Sequence, residues 1–300
     1  MKNRFLRLAS GLFVLCLITT SVISGTYAKY VTGDNGNDTA RVAKWGVELS
    51  TSGTLFGTDY AATGTGETAD SIVASSTNVA SAETDDVVAP GTKNNKGFQV
   101  KLTGQPEVAY KVTAETTNVE NKDIYLKEGS YGIMIEAYGI NADTDFGAKS
   151  LYTLDAGTYT KATGFTAGKT YYALQDDCNF DDDYYPLAWT LKAVDNSETS
   201  FNLTNGTYTK TSDIANAIVT ALNNKSFDAN VKVDVSYTIT WEWSFEGNSN
   251  DGADTILGNI AAGKAVVKTT DAGASYVEVE TADYSLNVGF NIAVAVTQVN

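Results

Sequence analysis

An unbroken alternation of apolar and polar residues runs from Val231 to Phe245. Side chains on a β-strand point to opposite faces with a period of two, so this alternation predicts a strand with one buried and one solvent-facing side. At about 3.3 Å per residue the stretch would reach roughly 50 Å, which is long for a strand. We therefore expect it to be the central strand of a β core, either bending between two sheets or following the whole domain.

Other stretches share this two-residue period. Phe98 to Leu102 and Val108 to Val112 both alternate, and the Gln105-Pro106 turn between them predicts a hairpin. Leu286 to Val296 alternates again, which predicts a second long strand close to the end of the sequence.

Helical spacing of apolar residues occurs from Ser212 to Leu222, where Ser212 is placed to cap the first turn. Asn248 to Gly252 predicts a turn. The chain has no strand–helix–strand rhythm, so the pattern predicts an all-β fold: an antiparallel β-sandwich with one short amphipathic helix.

The first 28 residues have the features of an export signal. Three basic residues precede an apolar run from Leu8 to Ile23, which is shorter than the roughly 20 residues of a membrane span and leads into small residues. We expect cleavage between Ala28 and Lys29, with a retained membrane anchor as the alternative. Residues 29–300 are then interpreted as a single β-sandwich domain with an N-terminal extended segment, 29–49.

Amino-acid composition narrows the classes of function open to this chain. The chain has 36 acidic and 21 basic residues, no histidine, and a formal net charge of −15. Such a charge disfavours binding to nucleic acids or to anionic membranes, because both attract basic proteins. The lack of histidine excludes Ser-His-Asp, Cys-His and histidine-based zinc sites. We expect no enzymatic activity, no cofactor and no membrane contact after processing.

Asp176 to Asp183 is the densest polar cluster. Asp177, Asn179 and Asp181 fit the first oxygen ligands of a calcium loop, but Asp182 stands where glycine is needed and Ala188 where glutamate is needed. A solvated acidic loop is the preferred interpretation, and calcium binding is left open.

Cys16 lies in the expected leader, which leaves Cys178 without an internal disulfide partner; its role is left open. Trp189, Trp241 and Trp243 could form a platform for stacking sugars. Since the last two share the apolar face of the central strand, core packing is favoured.

The segments Gly25–Tyr30 and Asp38–Val47 resemble the start of proteins that SipW-type signal peptidases process in Gram-positive bacteria. This group includes the TasA and camelysin matrix proteins, and the sequence is most similar to an uncharacterised clostridial branch of it. Looser matches are Ala89–Thr92, Tyr184–Leu191, Trp241–Trp243 and Asp254–Gly258. The resemblance implies a jelly-roll-like β-sandwich that is exported to the cell surface or biofilm matrix by a dedicated signal peptidase and that assembles in some members into fibres.

We therefore expect an extracellular structural protein that self-associates into a homopolymer by strand donation of its N-terminal segment. A free extended stretch from a neighbour can complete an open sheet edge. In the alternative to strand donation, the strand in this segment pairs within its own domain and the tail before it is disordered. The alternative function is a monomeric, adhesin-like binding module for glycans or host protein. The residues expected at the subunit contact are Tyr30, Val31, Val42, Trp45, Val47 and Leu49.

Overall fold

The computed structural model describes residues 41–56, 59–62, 78–80, 87–116, 121–140, 150–244, 251–270 and 275–299. Within these ranges the helices are α1 (Thr211–Leu222) and α2 (Asp251–Ala261). The strands are β1 (Val47–Gly53), β2 (Asp59–Ala62), β3 (Asn78–Ala80), β4 (Thr92–Gly104), β5 (Tyr110–Glu115), β6 (Tyr125–Leu126), β7 (Gly129–Ala137), β8 (Leu151–Asp155), β9 (Thr158–Lys161), β10 (Tyr171–Phe180), β11 (Leu187–Asp195), β12 (Gly206–Tyr208), β13 (Lys225–Phe227), β14 (Val233–Trp243), β15 (Val266–Thr269), β16 (Ser275–Glu278), β17 (Tyr284–Ser285) and β18 (Ala293–Gln298).

The described strands form three open sheets and one closed barrel, and their pairings are antiparallel. The largest sheet has seven strands in the order β12-β11-β14-β4-β2-β3, with β1 also paired to β4. The smaller sheets are β13-β5-β18 and β17-β6, and the barrel runs β10-β7-β15-β16-β9-β8. The predicted antiparallel all-β class is confirmed, whereas the barrel was not foreseen in the sequence.

Strand β14 confirms the alternation of the central stretch, because its eleven residues are in turn buried and half-buried from Val233 to Trp243. It pairs along its length with β11 on one side and β4 on the other. The strand therefore follows the large sheet from end to end and does not cross between sheets. Val231 lies before the strand, and Phe245 lies outside the described residues.

The main core has a sandwich-like arrangement between the large sheet and the three-stranded sheet. Trp189 and Trp241 are fully buried on the large sheet, and Tyr110 on β5 stacks on Phe227 at a centroid distance of 4.9 Å. Helix α1 adds Ile214 and other buried residues to the same cluster. Trp243 is 5% exposed, so core packing is confirmed for Trp189, Trp241 and Trp243. None of these three side chains is exposed enough to stack a sugar.

A bulge in β4 keeps this strand paired with β14 along its length. The register moves from Ile239 opposite Phe98 to Trp241 opposite Asn94, so β4 carries extra residues at this point. Asn94 organises the bulge: its Oδ1 accepts a bond from Gly97 N at 2.6 Å, and its Nδ2 donates to the carbonyl of Leu55 at 2.7 Å. Gly97 has a φ of +72°, a conformation that strongly favours glycine.

The predicted hairpin between Phe98 and Val112 is wrong. Strand β4 belongs to the large sheet and β5 to the three-stranded sheet, so the two strands lie on opposite sides of the core. Alternation showed correctly that each strand has a buried face, but it carries no information about the pairing partner. The predicted long C-terminal strand is also shorter than expected: β17 and β18 are separate, and only Gly289 between them makes an isolated bridge, to Lys122.

The predicted short helix is present as α1, and a second short helix, α2, begins at Asp251, where the sequence predicted a turn. Its apolar residues Ile256 and Leu257 are buried, but three glycine or asparagine residues weaken its helical signal in the sequence. The capping prediction for α1 is also wrong: the helix begins at Thr211, and its N–H donates to Asp123 Oδ1 at 2.7 Å.

Replacement of Gly97 by alanine tests the bulge. An added Cβ would lie 2.6 Å from Thr238 Cγ2 and 3.0 Å from the Ile239 carbonyl oxygen, in addition to the left-handed backbone strain. We expect Gly97→Ala to lower the unfolding free energy by about 2–4 kcal/mol in urea titrations. Gly168→Ala is the control, since its φ is +81° with no atom near the new Cβ, and should lose only about 1–2 kcal/mol. Equal losses would show that close packing at the bulge does not matter.

Candidate assembly site

Strand β1 forms an edge of the large sheet. It pairs with β4 in a regular register from Val47 opposite Gly104 to Gly53 opposite Phe98. Among the described residues β4 is its only strand partner, so the other edge of β1 carries backbone groups without a strand neighbour. An edge of this kind is where an extended segment from another chain can add.

The inward face of β1 is incompletely covered. Trp45, Val47 and Leu49 lie on one side of the chain at a two-residue spacing and are only half-buried against the core. Thr51 has the same parity and is exposed. Since a covered face would bury the whole row, the core is open beside β1.

A second half-covered row comes from the C-terminal part of the chain. Val288, Phe290, Ile292, Val294 and Val296 are partly buried against the same core. Trp189 contacts residues from both regions: its ring lies 6.3 Å from Phe56, which follows β1, and 6.1 Å from Phe290 of the second row. We call the two half-covered rows the open seam of the sandwich. The sequence predicted both rows as apolar strand faces, but only the first was expected at the subunit contact, because alternation gives no indication of a strand's partner.

A carboxylate holds the chain just before β1. Arg41 donates to both oxygens of Glu107 at 2.6 and 2.7 Å, and Lys44 N donates to the same carboxylate at 2.8 Å. Glu107 N in turn donates to the Lys44 carbonyl at 2.9 Å. We call this the Glu107 clasp. The hydrogen bond from Arg41 lowers the pKa of Glu107 from 4.5 to about 2.

A second carboxylate joins three segments that are far apart in the sequence. Asp254, in the first turn of α2, accepts bonds on Oδ1 from the Tyr184 hydroxyl at 2.7 Å and from Trp243 Nε1 at 2.9 Å. Burial raises the pKa of Asp254, and burial together with the bond to Asp254 raises the pKa of Tyr184 well above its usual range. These two hydrogen bonds link the end of β14 to α2 and to Tyr184, which lies just before β11.

The structure describes some of the residues predicted at the subunit contact, and others lie outside the described residues. Trp45, Val47 and Leu49 lie at the open seam, and Val42 is 84% exposed beside the Glu107 clasp. The expected cleavage site, Ala28 and Lys29, and the tail residues Tyr30 and Val31 lie outside the described residues. Of the two arrangements left open by the sequence, pairing within the same domain is present for the strand itself.

The acidic stretch is not a simple loop. Residues up to Phe180 belong to β10, with a register irregularity between Gln175 and Cys178 where Asp176 adopts a φ of +50°. Asp177 accepts a hydrogen bond from Ser130 at 3.0 Å. The strand spreads the side chains along its length, and within the described ranges no three acidic or cysteine residues gather as a metal site would require. Cys178 is half-buried, and burial raises its pKa.

We expect Glu107→Gln to loosen residues 41–44, because the neutral amide cannot form the two-point ion pair with Arg41. Trypsin should cleave after Arg41 and Lys44 at least about twofold faster, since cleavage follows local opening. Glu48→Gln, an exposed change on β1, is the matched control and should leave the cleavage rate unchanged.

The clasp also has a defined pH dependence. Folding depresses the pKa of Glu107, so its contribution is complete above pH 4.5 and is lost as the pH falls towards 2. Hydrogen exchange of residues 41–44, corrected for intrinsic rates, should therefore accelerate across this range in the wild type and stay flat in Glu107→Gln. The same acceleration in both proteins would contradict a role for the carboxylate.

We expect Asp254→Ala to reduce the unfolding free energy by about 2–4 kcal/mol, because it leaves two largely buried donors without their acceptor. Asp251→Ala removes a charge from the same helical turn, but its side chain is exposed, so the loss should stay within about 0.5 kcal/mol. Denaturant unfolding of both variants provides the measurement. If both variants lose a similar unfolding free energy, Asp254 acts only as a charge at the helix terminus.

Among the described residues, no helix is both long enough and apolar enough to cross a membrane. Comparisons with family models, curated proteins and solved structures gave no match to this chain.

Proposed function

We propose that the protein is a secreted cell-surface or biofilm-matrix structural protein whose subunits assemble into extracellular fibres through the N-terminal segment. The single observation that carries this proposal is the open seam: two half-covered apolar rows on one core, and an edge strand, β1, whose other side has no strand partner among the described residues. A donated strand would bury these rows and satisfy the backbone groups of β1.

In this proposal the two parts of the segment have different roles. Residues Val47–Gly53 already pair with β4 of the same chain, so they belong to the accepting sheet. The donated part is the tail before the Glu107 clasp, which contains Tyr30 and Val31 after processing at Lys29. The exposed Val42 supports this division, since an apolar side chain so open to solvent gains from a partner.

Fibre growth follows from the direction of the contact. A tail from one subunit enters the seam of the next, so the interaction is head to tail and propagates unless it closes into a ring. The full chain has a net charge of −15, and loss of Lys2, Arg4 and Arg7 with the leader makes it −18. Processed subunits therefore repel one another, and salt reduces that repulsion to a range of about 10 Å at 0.1 M. Assembly should therefore be faster at physiological salt than at low salt. The proposal includes no catalysis, because the sequence lacks histidine and any recognisable nucleophile–base pair.

We expect removal of residues 29–42 to abolish filaments of the mature protein while the β fold stays intact, because the subunit loses its donor but keeps its acceptor seam. Negative-stain electron microscopy and circular dichroism give the two readouts. The shortened protein should also shorten wild-type filaments when mixed with them, since it can occupy growing ends without extending them.

Arg41→Ala is the matched control for this deletion, because it removes the same ion pair to Glu107 but keeps the tail. It should still form filaments. Filaments that persist after the deletion, with unchanged length and number, would exclude the tail as the subunit connector.

A further inference from the structure

A surface cleft lies around Tyr185, and its walls contain no residue of the open seam or of the Glu107 clasp. Two adjoining cavities, of about 730 and 600 Å³, both include Tyr185 in their walls. Their volumes fall in the range of roughly 300–1,000 Å³ that is usual for small-molecule sites. Both are open to solvent, which suits a chain-like ligand that passes across the surface.

The backbone that presents Tyr185 is fixed on both sides. Tyr184 exchanges backbone hydrogen bonds with Leu126 at 2.7 and 3.0 Å, and its hydroxyl is held by Asp254. Pro186 on the other side is buried. A ring held in this way loses little conformational freedom when a ligand binds.

Tyrosine rings form the apolar part of the cleft. Tyr125 lies 6.0 Å from Tyr185 between ring centroids, at an angle of 38°. Tyr284 lines the second cavity, and all three tyrosines are half-buried. The Lys210 ammonium sits 4.6 Å from the centre of the Tyr185 ring. Half-exposed tyrosines combine an aromatic face for C–H contacts with a hydroxyl for hydrogen bonds.

Polar groups surround these rings on both sides. The first cavity is lined by the carboxylates of Glu128, Asp182 and Asp183, and the second by Asp123 and by the amide of Asn287. Carboxylates and amides can bind sugar hydroxyl groups in pairs. Across the two cavities the four acidic residues outnumber two lysines, Lys210 in the first and Lys122 in the second, so the net charge disfavours phosphorylated or uronate-rich chains.

We propose that this tyrosine cleft binds a neutral polysaccharide made of pyranose units, with Tyr185 under one sugar ring and the two cavities holding its neighbours. The flat C–H face of a pyranose matches the aromatic wall, and its hydroxyl groups match the surrounding carboxylates and amide. Trp189, Trp241 and Trp243 give no competing platform, since all three are buried in the core. This binding activity is separate from fibre assembly and does not depend on it.

The test is calorimetric titration of the full mature protein with three hexasaccharides: cellohexaose, chitohexaose and the anionic hexamer of galacturonate. Titration to about 10 mM would detect affinities as weak as about 1 mM. We expect at least one neutral hexasaccharide to bind and the anionic one not to bind. The comparison of glucose with N-acetylglucosamine units identifies which neutral chemistry the cleft accepts.

Tyr185→Ala should weaken binding by about tenfold or more through loss of the stacking ring, while Tyr185→Phe should retain most of it. Tyr138→Ala is the matched control: this tyrosine is 82% exposed and does not line either cavity, so its removal should leave the affinity unchanged.

Hydrogen exchange of the wild type provides a measurement that does not depend on a variant folding. Bound sugar should slow exchange in residues 121–126 and 183–187, even if Tyr185→Ala is unstable. The proposal is overturned if no neutral hexasaccharide binds, if the anionic one binds more tightly, if Tyr185→Ala binds like the wild type, or if protection appears only elsewhere.

Discussion

The structure depends on burying one face of β14 along its whole length. Six inward side chains, from Val233 to Trp243, have at most 5% exposure, and two are tryptophans. A single sheet cannot hide such a face, because its inner side needs a second layer. The three-stranded sheet, α1 and the aromatic residues around Trp189 provide that layer, and the open seam is the place where it is incomplete.

Large aromatic residues at this face bring polar atoms into the core, and their hydrogen bonds then fix the surrounding segments. Trp241 Nε1 donates to the carbonyl of Leu55 at 2.7 Å, which ties the residues after β1 to the central strand. Trp243 Nε1 donates to Asp254, which ties α2 to the strand end. Each bond avoids the cost of a buried donor without a partner. Trp189 Nε1 is the exception among these indoles, since its buried nitrogen has no hydrogen-bond partner in the described part of the chain.

The two proposed activities depend on different physical properties of two separate sites on the molecule. The seam is apolar and beside a free strand edge, which suits association between copies of one chain. The tyrosine cleft is mixed in polarity and acidic at its rim, which suits neutral hydroxylated ligands. A structural protein with both features could hold neighbouring subunits through the seam and a surrounding polysaccharide through the cleft. The backbone that presents Tyr185 depends on Asp254, so the stability of the core also determines the shape of the cleft.

The sequence by itself determined which residues face inward. Two-residue alternation located β14 with nearly correct bounds and identified Trp45, Val47 and Leu49 as an apolar row, because burial of one strand face leaves a local trace in the chain. It could not place the strands relative to each other. The partners of β4 and β5, the closure of the barrel, and the bulge at Gly97 depend on contacts between residues far apart in sequence, and alternation is identical for every possible partner. The same limit applies to the sites. The second row of the seam, the convergence of Tyr184, Trp243 and Asp254, and the cleft around Tyr185 each unite segments separated by tens of residues, and only packing of the whole chain brought them together.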